Sequence, residues 1–97
     1  MGYEILSANY RTREGEVDLI AREDGQFVFV EVKTRLGRSY GIGEEAITPA
    51  KQARIVKAAQ AWLQEQGQAG AEWRIDIVVV EPGRLNVHRN AVAEPDA

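Results

Sequence analysis

The sequence predicts an α/β domain, a small mixed β-sheet with one helix packed against it. Three observations predict it. Two segments of strand-like residues flank Asp24-Gly25, the strongest short hairpin signal in the chain. One segment, opening at Thr48-Pro49, has helical spacing. An almost continuously apolar run, Trp73 to Val80, follows that helix, as a strand does when it enters the inside of a sheet through a crossover. A chain of 97 residues, 44% hydrophobic and 28% charged, fits a single domain over 1–89, with 90–97 as a loose C-terminal tail.

Taken in order, Tyr3 to Asn9 reads as a first strand and Arg11 to Gly15 as a polar turn. Glu16 to Arg22 alternates polar and apolar residues, and Gln26 to Thr34 is β-branched and aromatic, so both read as strands. Gly37, Gly41 and Gly43 mark a loop with Tyr40 in its middle. Thr48 can cap a helix, and Pro49 suits its first position, where a missing N–H costs nothing. Ile55, Ala59, Trp62 and Leu63 then share one apolar face, and Lys51, Arg54 and Lys57 lie on another. Gly67 and Gly70 stop the helix. Trp62 and Trp73, in apolar periodic segments, are expected in the core. Pro82-Gly83 turns the chain into a short edge strand, Leu85 to His88. The order is β-β-β-α-β-β, with a crossover expected to be right-handed.

Composition removes several kinds of chemistry. There is no cysteine, so disulfides, thiolate catalysis and Cys-based zinc sites are excluded. The one histidine, His88, lies on the edge strand and reads as a surface residue with no second His to share a metal. The longest unbroken apolar runs, Phe27 to Val30 and Ile77 to Val80, are far short of the ~18 residues of a spanning helix. With no signal peptide at Met1 either, a cytoplasmic protein with no membrane partner is expected. The net charge is −3, but it is unevenly spread. Residues 32–60 carry six Lys or Arg against Glu44 and Glu45, while the segments on either side are acidic. That pattern suits an anionic ligand held near a cation, and mixed surface charge can also produce it.

The hairpin carries the informative chemistry. With Asp24-Gly25 as a two-residue turn, Arg22 meets Phe27, Ile20 meets Phe29, Asp18 meets Glu31 and Glu16 meets Lys33, all on one face. Val17, Leu19 and Ala21 against Val28, Val30 and Val32 make the opposite, core face. Two directly opposed carboxylates repel across ~5 Å. A hard divalent cation relieves that repulsion, since Mg²⁺ takes one or two carboxylates and keeps waters that a phosphate can replace. Lys33, on the same face, can orient a water or stabilise charge developing on a phosphate. The alternative is an ordinary solvated face, with Glu16 and Lys33 as a cross-strand ion pair. Arg11, Arg13, Arg35 and Arg38 flank the polar end of the hairpin and can contact phosphates or be scattered surface arginines. Tyr40 can stack on a base or pack on its own domain.

Asp18, followed after twelve residues by Glu31-Val32-Lys33, resembles the PD-(D/E)XK nuclease signature of restriction enzymes and archaeal Holliday-junction resolvases. The ordered stretches GYEILSANYRTREGEVDLIA, FVFVEVKTR, GEEAITPAKQARI and WRIDIVVV resemble the uncharacterised bacterial family UPF0102, the YraN-like proteins, over about residues 2–80. The resemblance implies a restriction-endonuclease-like core. It implies that Asp18 and Glu31 bind Mg²⁺ or Mn²⁺ with the Val32 carbonyl, and that Lys33 is the catalytic lysine. Glu16, the acid of a G-E-x-D string, joins the candidate catalytic residues. Lys51, with Arg54 beside it on the helix, is placed to touch a phosphate. Asp76 is implied either to support a basic neighbour or to serve catalysis. Family members usually begin with a helix ahead of the match at Gly2-Tyr3, so the first helix is expected to be absent here. The sheet surface left bare then predicts a homodimer. The implied function is metal-dependent hydrolysis of phosphodiester bonds in nucleic acid, with DNA the expected partner. A non-catalytic nucleic-acid binder of the same fold and a partner-assembly module are the alternatives.

Overall fold

A computed structural model describes residues 2–34 and 48–92. Strands β1 (Glu4–Arg11), β2 (Glu16–Glu23), β3 (Gln26–Thr34), β4 (Trp73–Glu81) and β5 (Arg84–Val92) form one sheet in the order β1-β2-β3-β4-β5. Helix α1 (Pro49–Glu65) lies in the chain between β3 and β4. These two strands are parallel, and all other neighbours are antiparallel. The predicted mixed sheet with a flanking helix is what forms.

Local chemistry explains each junction. Asp24 and Gly25 take φ of 53° and 79°, the paired left-handed conformation of a two-residue hairpin turn. Thr48 caps α1 by accepting from the Lys51 N–H at 3.1 Å, with Pro49 next. The helix ends where Gly67 takes φ 71°, while Gly67 and Gln68 donate to the carbonyls of Gln64 and Leu63. This is the left-handed glycine cap that uses the last free carbonyls of a helix.

The sheet has an apolar layer on each side. Under the helix lie Val17, Ile20, Phe29 and Ile75 with Ile55, Ala59, Trp62 and Leu63 of α1. Phe29 meets both tryptophans edge-on, with ring centroids 6.0 Å from Trp62 and 5.6 Å from Trp73. Both tryptophans thus belong to the core, as expected. Full burial of side chains such as Phe29 or Ile55 contributes about 1.5–3 kcal/mol each. The other layer gathers Ala21, Val28, Val30 and Val78, with Tyr3, Leu19 and Val32 packed against them.

Three expectations need correction. Val17 was assigned to the face of Leu19 and Ala21, but it packs under the helix with Ile20. Strict alternation fails there because β2 parts from β3 beyond the Leu19–Val30 pair and is freed to twist. For the same reason Asp18 with Glu31, and Glu16 with Lys33, are not ladder partners. The last strand is also longer than Leu85 to His88, since β5 runs from Arg84 to Val92 and takes in the start of the expected tail. It continues because a register shift opposite Ile75–Ile77 is stabilised by Asp76, whose Oδ1 accepts from the Asn90 N–H at 2.7 Å.

Candidate functional site

The place where β2 leaves β3 is the centre of the candidate site. On β1, Asn9 takes φ 54°, a left-handed conformation inside a strand, between two residues that pair with Leu19 and Val17. On β2, the Asp18 side chain replaces the missing ladder carbonyl, and its Oδ2 accepts from the Val32 N–H at 2.8 Å. The Asp18 carboxylate therefore sits against the peptide that joins Glu31 to Val32. In an extended strand the N–H and C=O of one residue point to the same neighbour. The Val32 carbonyl thus faces the same opening.

Glu31 is buried, and its side chain, 10% exposed, meets α1. Its Oε2 lies 3.0 Å from the Nζ of Lys51. Lys33 stands two residues further along β3, about 7 Å on and by alternation on the same side. It is half-buried, and among the described residues it has no ion-pair partner. Glu16 pairs instead with Arg11 of β1, at 3.8 Å. Both are well exposed, and such a surface pair contributes little.

Gly15, missed as a functional signal in the sequence, joins these parts. It is buried against α1, and a Cβ there would lie 1.9 Å from the Arg54 carbonyl oxygen. The turn before it is fixed by Thr12, whose Oγ1 accepts from the Glu14 and Gly15 N–H groups at 3.0 and 3.1 Å. This close approach seats the start of β2 on the helix that carries Lys51. It also brings exposed Arg13 and Arg54 to the same end as Arg11. Arg35, Arg38 and Tyr40 lie outside the described residues.

The donor set can be tested for a divalent cation. Among the described residues no group of three or more His, Cys, Asp or Glu is arranged to hold a metal ion. Beside the β3 peptide stand the Asp18 carboxylate and the Val32 carbonyl, and Glu31, the residue before, carries a second carboxylate on the side of α1, so the oxygens at hand are all hard. That set fits Mg²⁺ or Mn²⁺, which retain waters, and fits poorly with a metal that needs a full protein cage. The Lys51 ammonium against buried Glu31 shows that this carboxylate already takes a cation as its partner.

A second polar cluster lies on the other side of the sheet. Asp76 is fully buried and accepts from the Tyr3 hydroxyl at 2.6 Å, from Arg74 Nε at 2.9 Å and from the Asn90 N–H. Arg74 also donates to Gln26 and Glu23, and Arg89 reaches both oxygens of Glu23. Hydrogen bonds from Arg89 and Arg74 hold the Glu23 carboxyl down at about 2. Burial first, and the Asp76 hydrogen bond second, push the Tyr3 phenol above its ordinary value. With its acceptors filled, this cluster has the form of a structural clamp. Of the two roles open to Asp76, support for a basic neighbour is the one its contacts match. The charged pair Arg74-x-Asp76 inside an apolar strand was the available sequence signal.

An open cavity of about 430 Å³, lined in part by Arg22, Phe27, Trp62 and Gln66, lies near the helix C-terminus, far along the sheet from Glu31. No helix among the described residues is long and apolar enough to cross a membrane.

The family model described as "Uncharacterised protein family UPF0102" matches residues 1–80. A UPF0102 protein of Symbiobacterium thermophilum is 51% identical over 82 residues, covering 84% of this chain and 70% of the relative. One from Geobacter sulfurreducens is 46% identical over 78 residues, covering 80% of this chain and 61% of its own length. One from a Sulfurihydrogenibium species is 41% identical over 91 residues, covering 94% of this chain and 79% of the relative.

Proposed function

We propose that this chain, which belongs to the uncharacterised protein family UPF0102, is a divalent-metal-dependent nuclease with a PD-(D/E)XK-like core, acting on DNA. One observation carries the reading. Asp18 accepts from the peptide N–H that follows the buried Glu31, where β2 peels away, and Lys33 stands two residues further on with no ion-pair partner among the described residues.

In this reading Asp18 and Glu31, with the Val32 carbonyl, hold Mg²⁺ or Mn²⁺. Bound there, the ion lowers the pKa of a water and stabilises charge on a phosphate. Asp18 is held in place by the Val32 N–H, so its orientation does not have to be found anew for each substrate. Lys33 donates to the phosphate or the attacking water, where its positive charge favours the charged transition state. Glu16, paired with Arg11 on the rim, takes no direct part. Arg11, Arg13 and Arg54 contact backbone phosphates and set the position of the strand without reading bases.

Nicking of branched and single-stranded DNA in Mn²⁺ tests this. Asp18→Ala and Lys33→Ala should each lower the rate by at least about 100-fold, as loss of a positioned catalytic group ordinarily does. Nicking that survives both substitutions would belong to another site. DNA binding without any nicking would leave a non-catalytic binder.

A further inference from the structure

The Lys51–Glu31 pair is uneven. Glu31 cannot turn to water, since its side chain is 10% exposed and lies between the sheet and the helix. Lys51 can, because its side chain is 44% exposed and stands in the first turn of α1. A buried carboxylate needs a cation beside it, while a half-exposed lysine can leave at small cost.

Resting on the nuclease reading above, we propose that Lys51 is an exchangeable counter-ion of the site. It neutralises Glu31 when no divalent cation is bound, and it is released toward the phosphate backbone when one is. The reason is electrostatic. A dication held by Asp18, Glu31 and the Val32 carbonyl repels an ammonium 3.0 Å from the same carboxylate. Glu31 no longer needs Lys51, and the lysine swings outward on its long side chain. Its new surroundings are the rim of Arg11, Arg13 and Arg54, where a phosphate is expected. By linkage, the cation then tightens nucleic-acid binding, and nucleic acid tightens cation binding by the same factor. Lys51 is thus a positioning residue that couples the two ligands. The pairing also protects the acidic site in the metal-free protein from the repulsion that two bare carboxylates would feel.

Two measurements without nucleic acid or turnover test the exchange. The first is the rate at which an amine-reactive reagent labels Lys51 in the wild-type protein, read by mass spectrometry with and without Mg²⁺. The second is Mn²⁺ affinity, read by electron paramagnetic resonance, for wild type, Lys51→Met and Asp18→Ala. Lys51 labelling should rise with Mg²⁺, with Lys57 as an unchanged reference. Lys51→Met should bind Mn²⁺ about 5-fold or more tightly than wild type, the lower end of ordinary coupling between sites. Asp18-dependent Mn²⁺ binding with unchanged Lys51 labelling, or with equal or weaker binding by Lys51→Met, would overturn the exchange and leave the metal site standing. If neither wild type nor Lys51→Met binds Mn²⁺ at roughly 10 mM, far above the range of useful divalent sites, the metal site falls and the exchange with it.

Discussion

Asp18 and Asp76 meet the same local demand in different surroundings. Each accepts a backbone N–H beside an irregular strand pairing, Asp18 from Val32 and Asp76 from Asn90. Asp76 has further donors from Tyr3 and Arg74 and is cut off from solvent, so its acceptor capacity is spent on the fold. Asp18 is half-exposed with the Val32 N–H as its donor, which leaves lone pairs for a ligand. The two substitutions should therefore separate. Asp76→Ala leaves the Tyr3 hydroxyl and the Asn90 N–H without their acceptor and takes one of two carboxylates from Arg74, and should cost about 3–5 kcal/mol, measured by urea unfolding. Asp18→Asn keeps an oxygen for the Val32 N–H and should cost about 1 kcal/mol or less while weakening Mn²⁺ binding. Glu23 sets a pH dependence of definite sign. Its carboxyl is held at about 2 in the fold, below the ordinary value of 4.5. Its contribution is complete above that ordinary value and is lost as pH falls toward 2. Glu23→Gln should flatten the decline of the unfolding midpoint across this acid window. A slope equal to that of wild type would contradict the clamp.

At the scale of elements, much was legible because it rests on local chemistry. Asp24-Gly25 requires two left-handed residues and received them, which fixed the register of five hairpin pairs. Thr48-Pro49 marked the helix start for an equally local reason. The sequence pattern could not show where the hairpin ladder stops, because that depends on contacts from outside the hairpin, with β1 on one side and the helix above. Strict alternation therefore placed Val17 wrongly and treated Asp18 and Glu31 as direct partners. The pairing of Glu31 with Lys51 was invisible for a similar reason, since it joins two elements across the crossover. So was Gly15, whose small size matters only once Arg54 lies over it. Gly15→Ala forces a methyl into a backbone carbonyl, and overpacking of this kind costs about 1–3 kcal/mol. Thermal unfolding should show the loss, and metal binding should weaken too, because the turn seats β2 against α1. By contrast Thr48→Ala should cost about 1 kcal/mol by loss of the cap and leave the site in place.

For the whole molecule, a net charge of −3 goes with an uneven spread, and Arg11, Arg13, Lys33, Lys51 and Arg54 stand at the end of the sheet that also carries Glu16, Asp18 and Glu31. Binding to DNA should weaken steeply with salt, because each phosphate contact releases counterions. Replacing Arg13 and Arg54 together by Ala should lower the slope of log affinity against log salt by up to about 2. An unchanged slope would remove these residues from the interface. The two sheet edges bear on self-association. Both β1 and β5 carry a register shift, and Ile5 and Leu85 are exposed on them. Bulged edges resist strand-to-strand extension, so a twofold dimer would need a face of the sheet or the helix. Light scattering at micromolar concentration decides whether one forms. The central claim is that Asp18, Glu31 and the Val32 carbonyl hold a divalent ion where β2 leaves β3. The most direct measurement is anomalous X-ray scattering from a crystal soaked in Mn²⁺. The account predicts one Mn²⁺ peak touching both carboxylates, with the Lys51 ammonium displaced from Glu31. A soaked crystal with no peak there, and Lys51 still paired with Glu31, would contradict it.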